Sequence, residues 1–166
     1  MKLLVLYALL LYIANSFLNI FTLWLWADVA KGGLEFNQAE IGYVILAGMI
    51  LFLIMFKLFY KFITNRYGGL NPLFISLLAC TGLITGASFI NLVENYYIRW
   101  ALLILADAFV AFSIFVGDAC GSFLLNNSLP KRDAGYINGW GNFVSMLSAM
   151  IGFFVNGIIF AWSTNF

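Results

Sequence analysis

Five apolar runs, each close to the length a helix needs to cross a hydrocarbon layer, dominate this chain of 166 residues. They cover residues 3–26, 41–63, 72–93, 98–125 and 136–162, and the short stretches between them hold most of the charges and turn formers. A soluble domain carries about a quarter charged residues; here the fraction is 9%, against 64% hydrophobic, with a mean hydropathy of +0.99. The first run is too long for the apolar core of a secretory signal, which spans about 7 to 15 residues, and no cleavage site or soluble chain follows it. The runs are continuously apolar rather than alternating, as strands of a membrane barrel would be. The expectation is an all-α integral membrane bundle of five transmembrane helices forming a single domain in contact with the lipid bilayer.

Local signals agree with these boundaries. Asn37 and Glu40 have the spacing of a capping box ahead of Ile41. Gly68-Gly69 is expected to end the second helix and Pro72 to open the third, while Asn126-Asn127-Ser128-Leu129-Pro130 breaks the chain before the fifth. One set of ends holds Lys2, Lys57, Lys61, Arg66, Lys131 and Arg132 against Asp133; the other holds Asp28, Lys31, Glu35, Glu40, Glu94 and Arg99. The excess of basic residues predicts a multi-pass protein with its N-terminus on the cytoplasmic, or topologically equivalent, side. Trp24, Trp26, Tyr96, Tyr97, Trp100 and Trp162 fall near the opposite ends, where aromatic rings anchor spans at the interface.

With 8 basic and 7 acidic residues and a net charge of +1, the chain has no basic surface to hold a phosphate backbone, so nucleic acid is excluded as a partner. There is no histidine, hence no imidazole base or haem ligand, and Cys80 and Cys120 stand alone in different spans, without the paired spacing of a metal site. Both read as small packing residues. No enzyme activity, metal or cofactor is expected.

What remains is polarity inside the membrane. An ionisable residue in a span is costly and points to a site facing a cavity or a partner. Asp107 and Asp118 lie 11 residues apart in the fourth run, which at 100° per residue brings them back to within about 20° of one face, about 16 Å apart. They suit proton coupling or cation binding, or else an interhelical hydrogen bond. In the first run Asn15, Asn19 and Thr22 share a face. The fifth carries Asn138, Asn142, Ser145, Ala149, Gly152 and Asn156 at steps of four and three, a stripe suited to close packing or to lining a cavity. Gly82 with Gly86 and Gly117 with Gly121 have the spacing of close helix crossings. The second run has almost no mid-span polarity before Lys57 and is expected to face lipid or a large apolar partner.

Several segments together have a familiar order: Leu23-Trp24-Leu25-Trp26-Ala27, Gly32-Gly33-Leu34-Glu35-Phe36, Glu40-Ile41-Gly42-Tyr43, then Lys61 to Gly68, and Asn126 to Pro130 with Gly135 and Asn138-Gly139. They resemble helices seven to eleven of the major facilitator superfamily, nearest the zinc-induced-facilitator-like and tetracycline-resistance-like exporters. Lys61, Asn65 and Ala134 stand where that pattern has glycine, aspartate and arginine. Neither Asp107 nor Asp118 matches a motif of the superfamily. The resemblance implies an incomplete half of a transporter, with six helices before these and one after. Rocking of two halves about a midplane site then requires an N-terminal half or other membrane subunits as partners. On this view a small-molecule solute passes beside the first, fourth and fifth helices. Asp107 and Asp118 couple to protons, Asn15, Asn19, Asn142 and Asn156 line the path, and Arg66 and Gly68 belong to the cytoplasmic gate loop. The alternative is a transporter-derived structural subunit of a larger membrane complex that does not itself transport.

Overall fold

The computed structural model describes residues 2–67, 70–127 and 134–164. Five helices follow one another: α1 (Lys2–Trp26), α2 (Gln38–Tyr67), α3 (Leu70–Ala87), α4 (Tyr96–Asn127) and α5 (Ala134–Thr164), with single 3-10 turns at Val29–Lys31 and Ile90–Leu92. Each contains a stretch long and apolar enough to cross a membrane, from Leu4–Trp26 to Gly139–Ser163. In hydrocarbon every backbone polar group must be satisfied within the segment, which a helix does on its own. The outward surface is correspondingly apolar: Leu46, Ile50, Leu53, Ile54 and Leu58 of α2 and Met146, Met150, Phe153 and Phe154 of α5 are exposed.

The helix starts follow the local chemistry. The Glu40 amide donates to Asn37 Oδ1 at 3.0 Å, and the Asn37 amide donates to Glu40 Oε2 at 2.8 Å, so the capping box ahead of α2 is closed in both directions. At the start of α4 the amides of Tyr97 and Ile98 both donate to Asn95 Oδ1. Pro72 sits in the first turn of α3 and is buried. The Gly68-Gly69 pair and the connection over 128–133 lie outside the described residues.

Helix α4 is the hub. It packs along α2 and α3 and crosses α1, while α5 leans chiefly on α1. Contacts give the directions. Ser148 of α5 donates to the Ala8 carbonyl, and Gly152 faces Asn15 and Ser16, so α5 and α1 run parallel. Gly48 of α2 meets Asp107 and Phe52 stacks on Phe115, so α2 and α4 are parallel too. Between α3 and α4 the order reverses, with Ser76 near Gly117 and the Cys80 thiol near the Val110 carbonyl. Likewise Tyr7 and Leu10 of α1 meet Gly121 and Gly117 of α4 in antiparallel order.

The apolar core is concentrated at the end away from the N-terminus. Phe17, Phe21, Leu25, Leu34, Phe36, Ile41, Val44, Cys80, Leu103 and Val110 form one buried cluster, and Tyr7, Leu11 and Leu125 form a smaller one at the opposite end. The α1–α2 connection caps the larger cluster. The Phe36 amide donates to the Leu25 carbonyl and the Glu35 amide to the Ala27 carbonyl, folding Leu34 and Phe36 inward. A Cβ at Gly33 would collide with the Ala27 carbonyl, so this fold-back requires glycine.

The aromatic set divides. Trp26, Tyr96, Tyr97 and Trp162 are exposed near helix ends, as interface anchors are. Trp24 and Trp100 are half-buried: the Trp24 indole donates to the Gly32 carbonyl at 2.9 Å, and Trp100 stacks on Phe36 with ring centroids 5.2 Å apart. The glycine pairs divide as well. Gly117 and Gly121 admit Leu10 and the Tyr7 ring, whereas Gly82 and Gly86 are exposed and meet nothing within 4 Å. The expectation that Gly82 and Gly86 pack a crossing is therefore corrected: α3 turns its other face, with Ser76, Cys80 and Ala87, into the bundle.

Candidate functional site

Three groups of polar side chains stand out inside the bundle, apart from the single buried serines Ser76 and Ser113. In the first, Asp107 of α4 is 2% exposed and lies against the α2 backbone at Gly48, where a Cβ would collide with Asp107 Oδ2. That oxygen has no hydrogen-bond partner among the described residues. A carboxylate loses much of its hydration on burial and is normally compensated. Here the space for it comes from the missing side chain at Gly48. Sequence reading identified Asp107 but not Gly48.

In the second group the Tyr7 hydroxyl of α1 donates to Asp118 Oδ1 at 2.8 Å and lies 3.2 Å from Ser122 Oγ, with the Tyr7 ring seated over Gly121. Asp118 is half-buried and its tyrosine partner ties α1 to α4. The two aspartates are close in helical phase but meet different helices, Asp107 facing α2 and Asp118 facing α1. They do not form one site.

The third group lies along the α1–α5 seam. Ser148, Gly152 and Asn156 of α5 are buried, Asn156 being 3% exposed. Gly152 leaves a recess: a Cβ there would sit 3.5 Å from Ser16 Oγ, 3.7 Å from the Asn15 Cβ and 3.8 Å from Asn156 Nδ2. Ser16 Oγ, Asn19 Nδ2 and Asn156 Nδ2 are buried without a hydrogen-bond partner among the described residues, while the Asn15 amide donates to its own helix at the Leu11 carbonyl, 2.8 Å away. Of the stripe expected on α5, Gly152 and Asn156 are buried and Ser145 and Ala149 half-buried, while Ser148, which lies outside that stripe, is buried in the seam. Asn142 is exposed. Ser16 was missed because a lone serine in an apolar run carries no sequence signal until a second helix faces it.

At the end of α2, Arg66 is exposed, with its guanidinium 5.7 Å from the Phe62 ring centroid, in a shallow surface depression shared with Leu58, Lys61 and Asn65. Gly68 lies outside the described residues. Among the described residues no three histidine, cysteine, aspartate or glutamate side chains gather as a metal site would require. Cys80 and Cys120 are both buried and free.

Above the seam, at the end away from the N-terminus, a cavity of about 370 Å³ opens between α1, α3 and α5. Its walls include Phe17, Phe21, Trp24, Ile84 and Phe160, with Ser16 and Lys31 also lining it. Sequence reading named none of these as site residues, since their positions on three helices converge only once the helices pack. No protein-family model, characterised protein or solved structure matches the chain.

Proposed function

We propose that this chain is part of a major-facilitator-type secondary transporter that moves a small solute together with other membrane subunits. The observation that carries this reading is topological. Exchanging α1 with α4 and α2 with α5 turns the parallel α1–α5 seam into the parallel α2–α4 seam, and because α1 and α4 are antiparallel the exchange inverts the chain in the membrane. Pairs of helices related in this way are the building unit of many secondary transporters, whose solute sites lie where the repeats meet. Each parallel seam also carries polar groups of the kind a solute or coupling ion engages: Asp107 in one, and Ser16, Asn19 and Asn156 in the other.

In this reading Asp107 is the coupling carboxylate, and the α1–α5 seam contributes Asn15, Asn19 and Asn156 to the solute path. Asn142 serves the path only from a face covered by a partner, and Arg66 lies in the gate loop. The N-terminus is cytoplasmic. The experiment compares membrane vesicles from cells that carry the native chain, the Asp107→Asn variant, or no chain. Vesicles are loaded with cell extract, and retained solutes are measured by mass spectrometry with and without a proton gradient. At least one solute is expected to follow the gradient only with the native chain; identical profiles in all three would overturn the proposal.

A second reading has its own observation. The Tyr7–Asp118 bond lies inside the α1–α4 contact and fastens helices together, as a transporter-derived structural subunit would need. That reading expects assembly of the complex to fail without the chain and to be indifferent to Asp107→Asn.

A further inference from the structure

The cavity between α1, α3 and α5 has a neighbour. A second hollow, of about 430 Å³, lies beyond its mouth and is lined by Asp28, Lys31, Glu35 and Asn37 together with Trp26 and Phe36. The two share three walls, Ala27, Lys31 and Phe160, so they form one continuous depression that changes character along its length. The inner part is aromatic and aliphatic, the junction carries the ammonium of Lys31, and the far part carries two carboxylates. Ser88 and Ser163 add hydroxyls to the wall of the inner part.

We propose that this depression is a binding site for one zwitterionic phospholipid bearing an amine head. An acyl chain fills the slot between α1 and α3, the phosphate sits at Lys31, and the ammonium sits between Asp28 and Glu35. Charge order argues for this occupant over others. An anionic lipid such as phosphatidylglycerol would satisfy Lys31 with its phosphate but place only a neutral glycerol head beside Asp28 and Glu35, leaving both carboxylates without a counter-charge. A purely apolar occupant, such as another helix laid along the slot, would leave Lys31, Asp28 and Glu35 without complement. A head with phosphate first and amine beyond it matches the sequence of charges met on leaving the slot, and charged groups at this depth lie at the level of lipid headgroups. The site is lined by residues of α1, α3, α5 and the α1–α2 connection, apart from the α2–α4 contact that holds Asp107, and does not require that the bundle transport anything.

The test uses the purified assembly reconstituted in vesicles of equal parts phosphatidylethanolamine, phosphatidylcholine and phosphatidylglycerol. A trace of each lipid in turn carries a photoactivatable diazirine in its acyl chain. Adducts are mapped by mass spectrometry. The expected result is that the phosphatidylethanolamine probe labels peptides containing Phe17, Ile84 and Phe160 at least threefold more than the phosphatidylglycerol probe. Lys31→Gln should lower that labelling severalfold, and Asp28→Asn with Glu35→Gln should erase the preference for the amine head while leaving labelling by phosphatidylglycerol intact or raised. These three side chains are exposed, so the variants are expected to fold; Ser88→Phe, at an exposed position of the slot wall, should block labelling by every probe. Equal labelling by the three heads, no response to Lys31→Gln, or protection of the slot by a copurifying polypeptide would each overturn the proposal.

Discussion

Asp107 and Gly48 depend on each other. The carboxylate fits only because position 48 has no side chain, and the glycine is spared from filling the gap only because the carboxylate occupies it. Gly48→Ala should therefore force α2 and α4 apart or drive Asp107 off its rotamer, at a cost of about 1–3 kcal/mol. The expected outcome is a lower midpoint of thermal unfolding in detergent, and restoration of much of the loss when Asp107→Ala is added; equal loss in the double variant would show that the clash is not with Asp107. Asn156 makes the opposite case. An amide buried without a partner costs about 1–3 kcal/mol relative to a satisfied one, and leucine has a similar volume without the polar atoms. Asn156→Leu is expected to raise the unfolding midpoint while lowering solute retention in the vesicle assay. That divergence is what a residue kept for function rather than stability shows. A fall in both would mean that the amide is structural.

Among the elements, the α2 start was legible in three residues: Asn37 and Glu40 form the reciprocal bonds their spacing implies, and Ile41 behind them enters the core. Asn37→Ala removes the acceptor for the Glu40 amide and should cost about 1 kcal/mol, measurable as a lower unfolding midpoint. Restoring an acceptor with Asp at position 37 should recover it. The five spans were legible for a related reason, since a hydrocarbon layer imposes one requirement on every segment and the sequence answers it with composition alone. Which face of a span meets a neighbour is a different matter. Association in lipid rests on small residues and scattered polar contacts rather than on a hydrophobic stripe, and such residues recur on several faces. Gly117 with Gly121 and Gly82 with Gly86 have the same spacing, yet only the first pair is packed, because α1 happens to cross there. For the same reason Ser148 lies in the α1–α5 seam although Ser145 is the serine in register with Asn142 and Ala149. The three unpartnered atoms of that seam, and the slot above it, exist only after two or three helices meet.

At the scale of the whole molecule, the α1–α5 and α2–α4 seams make a claim that sequence distance alone would not suggest: helices that do not follow one another in the chain lie side by side and point the same way. Parallel packing fixes which residues can be joined. With Cys80 and Cys120 replaced by alanine, a cysteine pair at positions 8 and 148 should form a disulfide on mild oxidation, since Ser148 Oγ lies 3.4 Å from the Ala8 carbonyl. A pair at 16 and 152, where a Cβ at Gly152 would lie 3.5 Å from Ser16 Oγ, should do the same further along the seam. A pair at 8 and 156 should not, because two turns of helix, about 12 Å, separate position 156 from 148 along the axis, beyond the span of about 7 Å between Cα atoms that a disulfide tolerates. The same membranes report orientation. A cysteine at exposed Arg66 and one at exposed Lys31 lie at opposite ends of the bundle; with the N-terminus cytoplasmic, as proposed above, an impermeant thiol reagent should reach position 31 from outside intact cells or organelles and position 66 only after the membrane is opened. Crosslinking at 8 with 156 would reverse α5 against α1 and remove the inverted pairing on which the transporter reading rests. Labelling of position 66 from outside would leave that pairing intact and turn the whole bundle over in the membrane.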